Sequence, residues 1–135
     1  MKKYLVDTSV FVSHLRGHKP ATDFLSREQV VCISYVTFGE LLQGVRGKND
    51  LGVIRELMSG FEILWGSDEV NKLAVGILEK HYLRDGMGFL DALQASLAIV
   101  HNMIFVTDNL KHFRNVQNLA LRSFRDLAAQ SPKDI

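Results

Sequence analysis

The sequence has few cysteines and prolines and no long hydrophobic run. Its 135 residues include one cysteine, Cys32, and two prolines. A single cysteine excludes a disulfide framework, and no Cys/His spacing typical of zinc is present, so we expect a reducing, cytoplasmic environment and a buried Cys32. The uncharged stretch Ala92–Met103 is well short of the roughly 20 apolar residues that cross a bilayer, so we expect no membrane span.

The chain also lacks an excess of charge of either sign. Lys and Arg number 16 against 15 Asp and Glu, which gives a formal net charge of +1. This balance excludes a general attraction to polyanions, so any nucleic-acid binding must depend on local basic clusters. A hydrophobic content of 47% in a chain of this length predicts a single globular domain over residues 1–135 with a core of its own.

Short apolar runs alternate with longer segments of helical spacing, which predicts an α/β fold with a parallel sheet. Residues 89–102 carry one charged side chain, Asp91, so we expect this helix to lie inside the domain. The predicted strands are Tyr4–Val6, Val30–Ile33, Phe61–Trp65, Met103–Val106 and, at an edge of the sheet, Leu119–Leu121.

Acidic residues occur where such a fold places ligand sites. Asp7 and Asp108 follow the first and fourth predicted strands, and the carboxyl ends of parallel strands meet at one edge of a sheet. Asp91 lies in the first turn of the apolar helix, where it requires a cation or a hydrogen-bond donor. Glu40 lies on the polar side of its helix. Taken singly, each has a simpler interpretation as a helix cap, a turn residue or a solvated side chain.

Taken together, the four carboxylates predict a metal site. Carboxylates that converge within a few ångströms repel one another unless a cation neutralises them. A site of oxygen ligands, without cysteine or paired histidines, is typical of Mg²⁺ or Mn²⁺ and not of zinc. Because Mg²⁺ commonly binds phosphate oxygens, this site favours phosphodiester or phosphoryl chemistry.

Four segments, in this order, carry a resemblance to a known family: Leu5–Ser9, Ser34–Glu40, Phe89–Ala95, and Val106–Asn109 with Phe113. They resemble the successive motifs of PIN-domain ribonucleases and, more narrowly, of the VapC toxins of prokaryotic toxin–antitoxin pairs. The resemblance implies a three-layer α/β/α fold with a central parallel sheet of four to five strands. It also implies an endoribonuclease that hydrolyses RNA phosphodiesters by Mg²⁺- or Mn²⁺-activated water.

The resemblance places Asp7, Glu40 and Asp91 at the catalytic, metal-binding positions. The fourth position is open, because the family has Asp or Asn two residues after the threonine, which is Asn109 here, whereas the acid Asp108 comes one residue earlier. We therefore expect Asp108 or Asn109 to serve a second ion. Ser9 and Thr107 are expected to support the ligands, and the candidate RNA contacts are the basic residues Arg16, Arg46, Lys111 and Arg114. The five histidines show no spacing typical of catalysis or chelation.

The expected partners also follow from the resemblance: an RNA substrate, a cognate antitoxin and a second copy of the chain in a homodimer. Aliphatic residues of the middle helices, Ile54, Leu57 and Met58, fit either a dimer interface or the core. Two other functions stay open: a receiver-like phosphoacceptor domain and a non-catalytic RNA-binding module. A receiver requires an acidic pair after its first strand and a lysine after its last, where this chain has Thr8–Ser9 and Arg122.

Overall fold

The computed structural model describes residues 3–27 and 30–130, which form five strands and eight helices. In chain order they are β1 Lys3–Val6, α1 Thr8–Leu15, α2 Lys19–Leu25, β2 Val30–Ser34, α3 Tyr35–Gln43, α4 Lys48–Met58, β3 Glu62–Leu64, α5 Asp68–Asp85, α6 Phe89–Val100, β4 Ile104–Thr107, α7 Leu110–Phe113, β5 Ala120–Ser123 and α8 Phe124–Ala129.

The five strands form one parallel sheet in the order β3-β2-β1-β4-β5. From the central strand β1 the chain builds outward through β2 and β3, then crosses to the other side of β1 and adds β4 and β5. The direction of winding therefore changes between β1 and β4, and ligands bind beyond the carboxyl ends of the strands at such a point. The predicted strands, including the fifth at the edge, are confirmed.

Helices cover both faces of the sheet. Alternate residues of β1 point to opposite faces, as the pleat requires: Tyr4 and Val6 pack in one apolar cluster and Leu5 in the other. The Tyr4 face is covered mainly by α1, α2, α4 and α8, and the Leu5 face mainly by α5 and α6. The expected three-layer α/β/α arrangement is therefore confirmed.

The predicted interior positions lie in these clusters. Residues 92–98 of α6 are all buried, which confirms that this helix lies inside the domain. Ile54 and Met58 are 5% and 3% exposed and belong to the core, so they do not form an exposed interface. Cys32 is buried too, and burial, with a smaller effect of Glu62, raises the pKa of its thiol to about 11. In the part of the chain that is described, no helix combines the length and apolarity that a membrane span needs.

Three of the helices are short. Helix α7 is a single turn and α8 has six residues, so neither is long enough to show a clear helical period. Helix α2 begins at Lys19, so Pro20 lies in its first turn. Proline is tolerated in the first turn because the backbone N–H groups there have no partner within the helix.

Candidate active site

Asp7 lies at the carboxyl end of β1, where the winding of the sheet reverses, and caps α1. Its Oδ1 accepts hydrogen bonds from the backbone N–H of Thr8 at 2.7 Å and from Nε2 of Gln94 at 3.0 Å. Its Oδ2 accepts one from the hydroxyl of Thr107, the last residue of β4, at 2.8 Å. Donors from three elements therefore fix this carboxylate in one orientation, which exceeds what a helix cap requires.

The electrostatic environment of Asp7 disfavours its negative charge. Burial raises the pKa of the Asp7 carboxyl above its usual value, and the charges of Asp91 and Glu40 raise it further. Hydrogen bonds from Thr107 and Thr8 act in the opposite direction. Two more carboxylates thus lie within electrostatic range of Asp7, and a cation among the three would relieve their repulsion.

Gln94 is the buried link between α6 and the neighbouring elements, with 2% of its surface exposed. Its Nε2 donates to Asp7, and its Oε1 accepts a hydrogen bond from the hydroxyl of Ser34 at 2.8 Å. Because a carboxylate only accepts and the Ser34 hydroxyl donates here, this network determines which end of the amide faces Asp7. Ser34, at the end of β2, also caps α3 through the backbone N–H of Thr37.

Threonine hydroxyls connect this network to Glu40. Oγ1 of Thr8 donates to Oε1 of Glu40 at 2.8 Å and lies 2.8 Å from Oγ1 of Thr37. A hydroxyl has one proton, so Thr8 uses its proton on Glu40 and accepts that of Thr37. Glu40 is therefore held next to the first turn of α1 and is not simply a solvated side chain.

Asp91 lies at the start of α6 and faces His112 of α7. Nδ1 of His112 is 3.3 Å from Oδ2 of Asp91 and 2.8 Å from the side-chain amide of Asn109. A protonated Nδ1 donates to Asp91, whereas an unprotonated Nδ1 accepts from Asn109. The backbone N–H of Asn109 donates to Oγ1 of Thr107, so this group is continuous with Asp7.

Two of the predicted site residues lie apart from this group. Oδ1 of Asp108 accepts a hydrogen bond from the backbone N–H of Arg125 at 3.2 Å, so this carboxylate faces the first turn of α8. Of the two candidates for the fourth position, Asn109 is the one that contacts His112, which faces Asp91. Ser9 is exposed on α1, and the hydroxyl that reaches Glu40 is that of Thr8.

The predicted RNA contacts are all exposed. Arg16 and Glu40 line a surface cavity of about 430 Å³ between α1, α3 and α4, whose other walls are mostly apolar. Arg46 precedes α4, and its backbone N–H donates to Asp50, another residue of this cavity, at 3.2 Å. Lys111 lies next to His112 in α7, and Arg114 directly follows this helix.

Sequence analysis missed three residues of the site: Thr8, Gln94 and His112. Gln94 is a polar residue within the buried run of an otherwise apolar helix, which is a usable signal. Thr8 and His112 occur on the exposed or partly exposed sides of short helices, where such residues are common. Their roles depend on contacts between distant segments and are visible only in the fold.

The donor set fits a divalent cation that keeps part of its water shell. Asp7, Glu40 and Asp91 supply carboxylate oxygens, the ligands that Mg²⁺ and Mn²⁺ prefer. Within residues 3–27 and 30–130, no three Asp, Glu, His or Cys side chains are close enough to enclose a metal ion as they stand. Mg²⁺ is commonly bound through one or two carboxylates and several waters, so this open arrangement is compatible with it.

Comparison with known proteins agrees with the fold. The PIN domain family matches residues 4–119. Ribonuclease VapC1 of Rickettsia felis is 33% identical over 123 residues, which cover 85% of this chain and 91% of the relative. The chain belongs to the PIN-domain family. Ribonuclease VapC19 of Mycobacterium tuberculosis, another VapC relative of this PIN domain, is 30% identical over 116 residues, which cover 81% of this chain and 90% of the relative.

Solved structures include similar PIN domains. VapBC2 of Rickettsia felis, crystallised with a DNA fragment from its promoter, matches with a TM-score of 0.70 and 26% identity over 89% of this chain and 97% of that chain. The resemblance to VapC proteins is therefore confirmed. The receiver-like alternative is wrong, because receivers have the strand order 2-1-3-4-5, with β1 next to β3, whereas β1 of this PIN domain pairs with β2 and β4.

Proposed function

We propose that this PIN domain is a metal-dependent endoribonuclease and the toxin of a toxin–antitoxin pair, acting in the cytoplasm. The observation that carries the proposal is the partly buried Asp7 carboxylate at the carboxyl ends of β1 and β4. Three donors hold it in place, and Asp91 and Glu40 lie within electrostatic range. RNA as the substrate is supported by the relatives named ribonuclease VapC1 and VapC19.

The side chains divide into those that hold the cation and those that hold the ligands. Asp7, Glu40 and Asp91 would bind Mg²⁺ or Mn²⁺, which when bound lowers the pKa of water and neutralises charge on the phosphate. Thr107 and Gln94 keep both oxygens of Asp7 in a fixed orientation, so the carboxylate does not have to reorganise during the reaction. Attack of water on phosphorus would break the bond from phosphorus to the 3′-oxygen, which takes up a proton, and would give a 5′-phosphate and a 3′-hydroxyl.

The proposed partners are a cognate antitoxin and a second copy of the chain. An antitoxin is supported by the similar Rickettsia felis structure, which is VapBC2 bound to a DNA fragment from its promoter. The mostly apolar cavity beside Glu40 is a suitable place for an antitoxin segment that covers the acidic group. Helix α5 exposes three large apolar side chains that fit a dimer interface: Val75, Tyr82 and Leu83, of which the last is 93% exposed.

The test of the proposed function is cleavage of single-stranded RNA by the purified chain. We expect cleavage with Mg²⁺ or Mn²⁺, none with EDTA, and products with a 5′-phosphate as shown by their ligation to an acceptor. Cleavage that persists in EDTA or leaves a 2′,3′-cyclic phosphate would contradict the proposal. Binding of RNA without cleavage under every metal condition would identify a non-catalytic module instead.

Neighbouring variants test the assignment of the fourth position. Asn109→Ala removes an amide that contacts His112, so we expect cleavage to fall by roughly tenfold, the effect of one lost positioning interaction of about 1.4 kcal/mol. Asp108→Ala removes a carboxylate that faces α8, and we expect cleavage within about threefold of the wild type, with lower stability because the contact to the Arg125 N–H is lost. Steady-state cleavage rates and thermal unfolding measure both effects. A larger loss of cleavage in Asp108→Ala than in Asn109→Ala would reverse the assignment.

A further inference from the structure

A polar cavity lies at the C-terminal end of α5, outside the acidic group. It measures about 300 Å³ and is lined by Lys80, His81, Arg84, Asn115 and Gln117. Each of these side chains carries at least one N–H donor, and none of them is a carboxylate. A wall made of cationic and amide donors is complementary to an anion with several acceptor oxygens, such as a phosphate group.

One carboxylate, that of Asp85, contacts two of the side chains that line the cavity. Oδ2 of Asp85 lies 2.7 Å from Nδ1 of His81, and Oδ1 accepts a hydrogen bond from Nδ2 of Asn115 at 3.0 Å. The side chains of His81 and Asp85 are 6% and 8% exposed, so this contact is largely shielded from solvent. It ties the end of α5 to the segment after α7 and holds two walls of the cavity together.

The same contacts determine which atoms of the lining are left to donate to a ligand. The Asp85 carboxylate only accepts, so Nδ1 of His81 carries the proton of a neutral ring, and Nε2 donates to a ligand only when the ring is doubly protonated. Nε of Arg84 is directed at Asp85 at 3.4 Å, which leaves the two Nη groups for a ligand. Asp85 offsets one positive charge, whereas Lys80 and Arg84 supply two, so the cavity keeps a positive balance.

This cavity is adjacent to the acidic group through α7. Gly86 follows Asp85 directly, and a Cβ atom placed on Gly86 would lie 3.8 Å from Nε2 of His112, the residue that faces Asp91. Asn115, in the cavity wall, comes three residues after His112, in the turn that follows α7. A single strand of RNA that passes Asp91 can therefore reach the cavity within a few nucleotides.

We propose that this cavity, lined by Lys80, His81, Arg84, Asn115 and Gln117, is a phosphate-binding subsite for the RNA backbone on the α7 side of the active site. The inference rests on the proposed ribonuclease function for its ligand, but its binding step is separate from cleavage. A second cavity of about 220 Å³ shares Lys80, His81 and Gln117 and is otherwise largely apolar. It offers space for the sugar or base of the same nucleotide.

The test measures binding of a labelled single-stranded RNA to the full chain in EDTA, so that metal-dependent cleavage does not interfere. We expect the double variant Lys80→Gln/Arg84→Gln to bind RNA roughly tenfold more weakly at low salt. We also expect the plot of log K against log salt to become less steep, with its negative slope smaller in magnitude by roughly 0.7 for each phosphate contact removed. Gln117→Glu adds a negative charge to the cavity without removing a cation, and it should weaken binding in the same direction.

The matched control is Lys72→Gln/Arg55→Gln, which removes the same two charges at exposed positions of α5 and α4 that do not line the cavity. We expect this control to bind RNA within about twofold of the wild type, apart from the general effect of net charge. Thermal unfolding shows whether the variants fold. If the double variant does not fold, Gln117→Glu decides the question alone, because Gln117 is exposed.

The outcomes separate the subsite from the proposed function. Equal loss of RNA affinity in the cavity variant and the control, or no loss in either, would overturn the subsite even if the wild type cleaves RNA. Failure of the wild type to cleave with Mn²⁺ would overturn the ribonuclease and leave the binding result intact. Titration with inorganic phosphate, followed by NMR at Arg84 and His81, identifies the source of the anion. If phosphate binds but RNA affinity is unchanged in Gln117→Glu, the cavity is a site for free anions and the RNA assignment is wrong.

Discussion

Replacement of Asp7 by asparagine is expected to abolish RNA cleavage and, at neutral pH, to make the domain more stable. Asparagine keeps the shape of the side chain and can still accept the hydrogen bonds that Thr8 and Gln94 donate to Oδ1. Its Nδ2 takes the place of Oδ2 and donates to Thr107, whose hydroxyl can accept as well as donate. The fold is therefore kept, and the negative charge is removed.

The expected loss of activity is on the order of a thousandfold, because a metal ligand in such a site supplies several kcal/mol of transition-state stabilisation. The expected gain in stability is about 1 kcal/mol, or a few degrees in Tm, since the variant no longer buries a charge that Asp91 and Glu40 repel. The measurements are single-turnover cleavage with Mn²⁺ and thermal unfolding in EDTA.

The direction of the pKa shift gives this prediction a pH dependence. The pKa of Asp7 is raised in the folded state, so the ionised Asp7 carboxylate lowers the stability of the fold. This loss of stability is absent below about pH 4 and develops as the pH rises through the folded pKa. The stability difference between Asp7→Asn and the wild type should therefore be largest near neutral pH and vanish in acid. A constant difference across this range would show that packing, and not charge, causes it.

Asp23→Asn is the matched control for this substitution. Asp23 pairs with Lys19 on the exposed side of α2, where both side chains are more than half exposed. We expect unchanged cleavage and a change in stability below about 0.5 kcal/mol. If Asp7→Asn cleaves RNA as the control does, Asp7 has no catalytic role and the ribonuclease assignment fails.

The sheet and the acids at its edge could be predicted from local sequence because parallel strands covered on both faces are continuous apolar runs. Asp7 directly follows such a run, and Asp91 is the lone charge in an apolar helix. The position of each acid in the fold could thus be predicted from the residues next to it in the sequence. Which side chains meet was less accessible, since the bond from Gln94 to Asp7 joins residues 87 positions apart.

The fourth position shows where sequence reasoning reaches its limit. Asp108 and Asn109 are adjacent, and their direction is determined by what each one contacts. A backbone N–H in the first turn of α8 donates to the Asp108 carboxylate, whereas α7 places His112 next to Asn109. Both helices are too short to be predicted from periodicity, so the choice between these residues depended on elements that the pattern did not reveal.

Addition of Mn²⁺ or Mg²⁺ at neutral pH is expected to raise the stability of the wild-type domain strongly. An ion that binds only the folded chain stabilises it by about 2.7 kcal/mol at a concentration of 100 times its Kd, which corresponds to roughly 10 °C in Tm for a domain of this size. Burial raises the pKa of Asp7 and the charges of Asp91 and Glu40 raise it further, and a divalent cation neutralises this repulsion among the three carboxylates.

Thermal unfolding against metal concentration measures this effect, and EDTA should reverse it. In Asp7→Asn and Asp91→Asn the rise should be largely lost, whereas Asp108→Asn should keep it, because Asp108 faces α8. At about pH 4 the wild type should respond less, since protons compete with the cation for the carboxylates. An equal rise in Asp7→Asn and the wild type would place the ion elsewhere on the molecule. No rise in the wild type would show that these carboxylates do not bind a divalent cation, and cleavage would then need a different source of activated water.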